Sequence, residues 1–141
     1  MTIHSRHIRT VIIALATMLL IITTACSSKP AAKATSKHPS EATATVSGSN
    51  QQITVYTDDS YNFYPKMIHA TTGTLVLTLT NEAKSSTHNL LFDAGGPAKG
   101  IDYLPPGKSK TITVNLPTAG SFGFNCSFHL SMGMVGTLIV S

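Results

Sequence analysis

Phe124-Asn125-Cys126-Ser127-Phe128-His129-Leu130-Ser131-Met132-Gly133-Met134-Val135-Gly136 is the stretch on which the fold of this 141-residue chain turns. It spaces a cysteine, a histidine and a methionine as C-x2-H-x4-M, with Met132 as a second thioether inside the same run. Phe122 and Phe124 share parity with Cys126, so on one strand the three side chains point the same way. Val135 to Val140 follows as a run rich in β-branched residues, which favours a last strand.

Working outward, short apolar alternations are separated by turn residues. Ile53 and Val55 alternate with Thr54 and Tyr56, Leu75, Leu77 and Leu79 with threonines, and Ile112 and Val114 with Thr111 and Thr113. Breaks fall at Thr72-Gly73, Gly95-Gly96-Pro97, Pro105-Pro106-Gly107 and Pro117 to Gly120. Period two, abundant threonine and valine and no helical period predict an all-β sandwich.

A lone cysteine on such a strand would be a core residue. Here His129 and a methionine follow at ligand spacing, and a second histidine stands in Thr87-His88-Asn89-Leu90-Leu91-Phe92. One thiolate, two imidazoles and a weak thioether are the donor set of an electron-transfer copper site, since thiolate and thioether suit Cu(I) while imidazole also holds Cu(II). Zinc fits that set poorly. His4, His7, His38 and His69 compete with His88, but the first three precede the strands and His69 falls near the start of the Leu75 strand. From spacing alone Met132 and Met134 both remain open as the thioether. Leu130, Met132 and Phe128 are apolar residues that a loop tip has little reason to carry unless a partner covers them.

The segment from Phe124 to Val140 resembles the copper loop and last strand of the cupredoxins, in particular their plastocyanin-like members. His88-Asn89-Leu90-Leu91-Phe92-Asp93 resembles the strand of their first histidine, and Phe63-Tyr64-Pro65 and the strand ending at Asn81 fit the lead-in to it. The likeness covers residues 51–141. It implies a Greek-key β-sandwich of about seven to eight strands that holds one type 1 copper ion on His88, Cys126, His129 and Met134. Met134 is assigned because the family's axial methionine precedes x-Gly, as in Met134-Val135-Gly136; Met132 then joins Leu130 in a partner patch around the His129 edge. Asn89 and Ser127 match residues that pin the two ligand loops together. Phe128 stands where plastocyanin-like loops have proline. Its N–H, which proline lacks, is expected to donate to the Cys126 sulfur and raise the potential.

The resemblance further implies an electron carrier that cycles Cu(I)/Cu(II) between redox partner proteins, as a monomer, and not an enzyme. Multicopper and binuclear centres need further histidine clusters or a second loop cysteine, and neither is in the sequence. Copper delivery or buffering is the alternative.

Arg6 and Arg9 precede an apolar run from Val11 to Ile22, broken by Thr17. That run is shorter than the ~20 residues of a spanning helix, so residues 1–25 are expected to be a signal peptide. Thr23-Thr24-Ala25-Cys26 resembles a bacterial lipobox, which implies a lipid anchor on Cys26 and an extracytoplasmic, membrane-attached or periplasmic location. With Cys26 acylated and Cys126 on metal, no disulfide forms. Residues 26–50, rich in Ser, Thr, Ala and Lys, are expected to be a disordered tether, with the copper domain over 51–141. The net charge of +4 lies in the first fifty residues; beyond them five lysines face five acids, which speaks against nucleic acid.

Overall fold

A computed structural model describes residues 37–141. The expected period shows in the burial of β6 (Gly73–Asn81), where Leu75, Leu77, Leu79 and Asn81 point inward and the residues between them stay partly exposed. The same alternation places Ile112, Val114 and Leu116 of β9 (Ser109–Leu116), and Gly136, Leu138 and Val140 of β11 (Val135–Val140), in the interior. Outward threonines bond across the ladder, Thr78 to Thr111 at 2.8 Å and Thr80 to Ser109 at 2.9 Å.

The remaining strands are β1 (Glu41–Thr43), β2 (Thr45–Ser47), β3 (Asn50–Thr57), β4 (Phe63–Tyr64), β5 (Met67–Ala70), β7 (His88–Phe92), β8 (Ile101–Leu104) and β10 (Gly120–Asn125). One sheet runs β1-β5-β11-β10-β7-β8; the other runs β2-β3-β6-β9, with β4 paired to β3. Phe63, Ile68, Leu90, Ile101, Phe124 and Leu138 fill the space between the sheets with the inward residues above. The architecture is the expected β-sandwich, in eleven strand segments where seven to eight were expected. Three of them, β1, β2 and β4, are only two or three residues long.

Two of those short strands correct the tether. The sequence places the domain boundary at Gln51, yet Glu41–Thr43 pairs in parallel with β5 and Thr45–Ser47 pairs with β3. These strands are held by backbone hydrogen bonds and bury little beyond Ala44, so apolar alternation, the signal that marks the other strands, is missing from them. His38 is also fixed here, stacked on Tyr56 at 3.7 Å and bonded to Glu82 at 3.0 Å. Residues 1–25, Cys26 and the rest of the tether up to residue 36 lie outside the described residues.

Two features carry the fold towards one end of the sandwich. The first is Gly136, opposite Phe124 in the β10–β11 ladder. A Cβ at Gly136 would run into the Phe124 ring and stand 2.7 Å from the Lys66 carbonyl. Phe124 cannot easily yield, being wedged edge-on between Phe63 and Phe92 with centroids 5.1 and 6.1 Å away. The second is Asp59, whose carboxylate accepts the backbone N–H groups of Lys84, Ser85 and Ser86 at 2.7, 3.3 and 3.1 Å. Asn81 folds the same loop, donating to Ser86 C=O and accepting Ala83 N–H. Those donors, Lys84 N–H first, hold the Asp59 carboxyl well below the usual carboxylate range.

Gly136→Ala should therefore destabilise the fold by roughly 1–3 kcal/mol, the usual cost of overpacking, read from the denaturant midpoint of the full chain. For Asp59 the folded-state carboxyl is the stronger acid, so its stabilisation is complete above the unfolded value of about 4 and disappears as pH falls through the folded value. Melting curves of wild type and Asp59→Ala should thus differ most at neutral pH and converge in strong acid; a gap independent of pH would exclude this role.

Candidate metal centre

Strand β10 pairs with β11 along its whole length and with β7 near its end, through Phe124 opposite Phe92 and Asn125 opposite Leu91. Beyond Asn125 the hairpin closes with Cys126 N–H on the Met134 carbonyl at 3.1 Å. Cys126 and Met134 are thereby held face to face at the mouth of the hairpin, and β7 delivers His88 beside them. The β7–β8 register shifts between His88 and Leu90, so His88, Asn89 and Leu90 are all buried in succession where a regular strand would turn one outward.

The loop between Cys126 and Met134 is a series of tight turns. His129 N–H bonds to Cys126 C=O at 3.0 Å, Met132 N–H to His129 C=O at 3.0 Å and Gly133 N–H to Leu130 C=O at 3.0 Å. Leu130–Met132 forms a 3₁₀ turn that ends on Gly133 at φ 80°, a left-handed position that suits glycine. Met134 emerges from it fully buried, whereas Met132 is 61% exposed. Phe128 and Leu130 are half exposed beside Met132, and together they form an apolar rim.

Cys126 Sγ lies 3.8 Å from His88 Nδ1 and 3.5 Å from His129 Nδ1, and the three donor atoms all lie within 4.8 Å of one another. Metal–sulfur and metal–nitrogen bonds of roughly 2.3 and 2.0 Å at trigonal angles put such donors about 3.7 Å apart, so one ion fits between them. The softness of thiolate and thioether beside two imidazoles suits copper. His88 is buried and its pKa is pushed down, first by that burial and then by the His129 charge, against the pull of the Asp58 carbonyl. Its neutral form, the one with a lone pair to give, is favoured. His129 is only partly buried.

Asn89 and Ser127 meet between β7 and the loop after β10. Asn89 Nδ2 donates to Ser127 Oγ at 2.7 Å and Ser127 N–H donates to Asn89 Oδ1 at 2.8 Å. Asn89 N–H also donates to Cys126 Sγ at 3.5 Å. Here the expectation for Phe128 needs correction: among the described residues the backbone donor at the sulfur is Asn89. The chain turns away at Cys126 to close the His129 N–H bond, and the Phe128 side chain goes to the rim. His69 sits on β5, bonded to Glu41 at 2.6 Å and apart from the cluster. Sequence reasoning passed over Asp59 and Tyr61. The Tyr61 ring stacks on His129, with centroids 4.4 Å apart and planes at 29°. Asp58, Asp59 and Ser60 are turn-forming residues, but nothing in the sequence says what the turn touches.

Comparison with known proteins points the same way. Residues 12–140 match the family model of the cupredoxin-like domain. The chain is 34% identical over 87 residues to chloroplastic plastocyanin of Chlamydomonas reinhardtii, a match covering 55% of this chain and 57% of that protein. It is 32% identical over 105 residues to plastocyanin of Prochlorothrix hollandica, covering 69% of this chain and 77% of the relative. The chain thus spans little more than half the length of the algal protein. The fold matches reduced auracyanin of Roseiflexus castenholzii with a TM-score of 0.58 at 23% identity, over 64% of this chain and 96% of that structure. With the sandwich, the donor cluster and these matches in agreement, the chain belongs to the cupredoxin-like family of blue copper proteins.

Proposed function

We propose that this protein is an electron carrier that holds one copper ion on His88, Cys126, His129 and Met134 and has no substrate of its own. The observation that carries this reading is the burial of Cys126, His88 and Met134 together under a partly exposed His129. Copper bound there would supply a reversible one-electron couple. The chain supplies the rest. Ladder, bulge and turns hold the four donors, Asn89 N–H stabilises negative charge on the sulfur, and the buried surroundings keep water from the thiolate. The His129 edge lies within the apolar rim of Phe128, Leu130 and Met132, where a redox partner protein can approach closely without displacing tightly bound water.

The location belongs to the same proposal. A signal over residues 1–25 and a lipid on Cys26 would tether the domain at the outer face of a bacterial cytoplasmic membrane, where it meets membrane-bound partners. Metabolic labelling with a radioactive fatty acid should mark the wild type and not Cys26→Ala; equal labelling of both would remove the anchor from this account.

Copper delivery is the second reading, and exposed Met132 is its support, a thioether able to take Cu(I) at the rim. One experiment separates them. The full chain loaded with Cu(II) should show an intense blue thiolate-to-copper band and narrow copper hyperfine splitting, both absent from Cys126→Ser. For a carrier, repeated reduction and reoxidation in the presence of a Cu(I) chelator leaves the band intact. Loss of the metal on the first reduction would favour delivery, and a pale wild type would mean that the thiolate is not a ligand.

A further inference from the structure

We propose that Tyr61 is a positioning residue for this centre, a ring that holds the His129 imidazole in its ligating orientation; the inference rests on the copper reading of the site. Tyr61 adopts φ 59°, and among the described residues it is the non-glycine position with positive φ. Gly48, Gly73, Gly95, Gly107 and Gly133 occupy the other left-handed positions. A bulky aromatic residue in that region is an outlier, because its Cβ crowds the backbone. The turn does not itself require a tyrosine. It is built by Tyr61 N–H on Asp58 C=O at 3.3 Å, Ser60 N–H on Asp58 Oδ1 at 3.0 Å and Asn62 Nδ2 on Ser60 C=O at 3.0 Å, none of which uses the Tyr61 side chain. Glycine would satisfy the same turn without strain. The reason for tyrosine lies in what its ring touches.

The ring touches both imidazoles. It stacks on His129 at 4.4 Å and meets His88 edge-on at 6.3 Å. Of the two histidines, only His88 is wholly enclosed. His129 rides on a loop outside the ladder, with its ring against the Cys126 sulfur, His88 and Tyr61. An offset stack of two flat rings resists tilting of either one. Strain concentrated beside a functional group, held by a turn that over-determines it, is the pattern expected where geometry serves the site rather than the fold. Tyr61 thus packs against both imidazoles of the centre from a turn outside the hairpin that carries His129.

The test uses the full chain in detergent, as wild type, Tyr61→Phe, Tyr61→Asn and Tyr61→Gly. Asparagine and glycine both tolerate the left-handed turn and both remove the ring, so one of them can stand in if the other fails to fold. In the metal-free protein, cross-relaxation between the His129 ring protons and the Cys126 side chain, whose Sγ lies 3.5 Å from His129 Nδ1, should persist in wild type and Tyr61→Phe and weaken in the other two. In the Cu(I)-loaded protein, transfer to a chelator should be roughly two- to tenfold faster without the ring, the rate equivalent of one aromatic pair, and unchanged in Tyr61→Phe. Wild-type cross-relaxation and release rates in Tyr61→Asn or Tyr61→Gly would overturn the inference, and so would a Tyr61→Phe as impaired as they are. A wild type that never turns blue with Cu(II) would instead sink the reading of the site, and this inference with it.

Discussion

The hydrogen bond from Cys126 N–H to the Met134 carbonyl, one rung beyond the end of the β10–β11 hairpin, is the constraint on which the centre depends. It fixes two soft sulfur groups, a thiol and a thioether, at the ends of a loop whose other residues form turns. Because β10 pairs with β7 as well as β11, the same rung brings the start of β7 alongside. The bulge at His88 then turns a strand end into a ligand and a pin, since Asn89 bonds Ser127 with its side chain and the sulfur with its main chain. Sulfur orientation is set by the backbone before any metal arrives.

Burial gives the two imidazoles different properties. His88 lies in the interior, where the charged form is disfavoured and a neutral donor results. His129 reaches the surface inside a rim of apolar side chains. A centre with one enclosed and one partly exposed imidazole would shield a metal and leave one route to it. On the proposed reading both are needed, because the thiolate must be kept from oxidation while electrons still pass.

Much of this was legible in the sequence because strands and donors announce themselves locally. The alternation through Leu75, Leu77 and Leu79 is burial written with period two, and C-x2-H-x4-M here spans the connection between β10 and β11. Gly136 was legible as part of a pattern, but its cause is tertiary: the Phe124 ring and the Lys66 carbonyl occupy the space of a side chain. The strands at Glu41–Thr43 and Thr45–Ser47 were not legible, since polar edge strands are specified by a partner's backbone groups and not by their own side chains. The Phe128 amide was misassigned for a related reason. A residue type permits a hydrogen bond, but the direction of an N–H follows from the turn around it. Tyr61 could not be foreseen at all, because its backbone conformation and its stacking partner come from segments 68 residues apart in sequence.

The four donors are not equally restrained, and the inequality has a direction. Met134 is held by the ladder, Cys126 by the ladder and the Asn89 N–H, and His88 by the bulge and by complete burial. To displace any of these, backbone hydrogen bonds of the sandwich must break, and those breaks are cooperative with the fold. His129 hangs on turn hydrogen bonds within its own loop and on the face of Tyr61. None of those contacts is a rung of a strand ladder. The least restrained of the four is therefore the same imidazole whose edge, on the proposed reading, a partner would approach. A copper site that must keep its metal while presenting that edge has to add restraint there without covering it. A ring stacked on one face of the imidazole, anchored by a turn from the opposite sheet, meets both conditions, which is why strain at residue 61 and partial exposure at residue 129 belong together on the proposed reading.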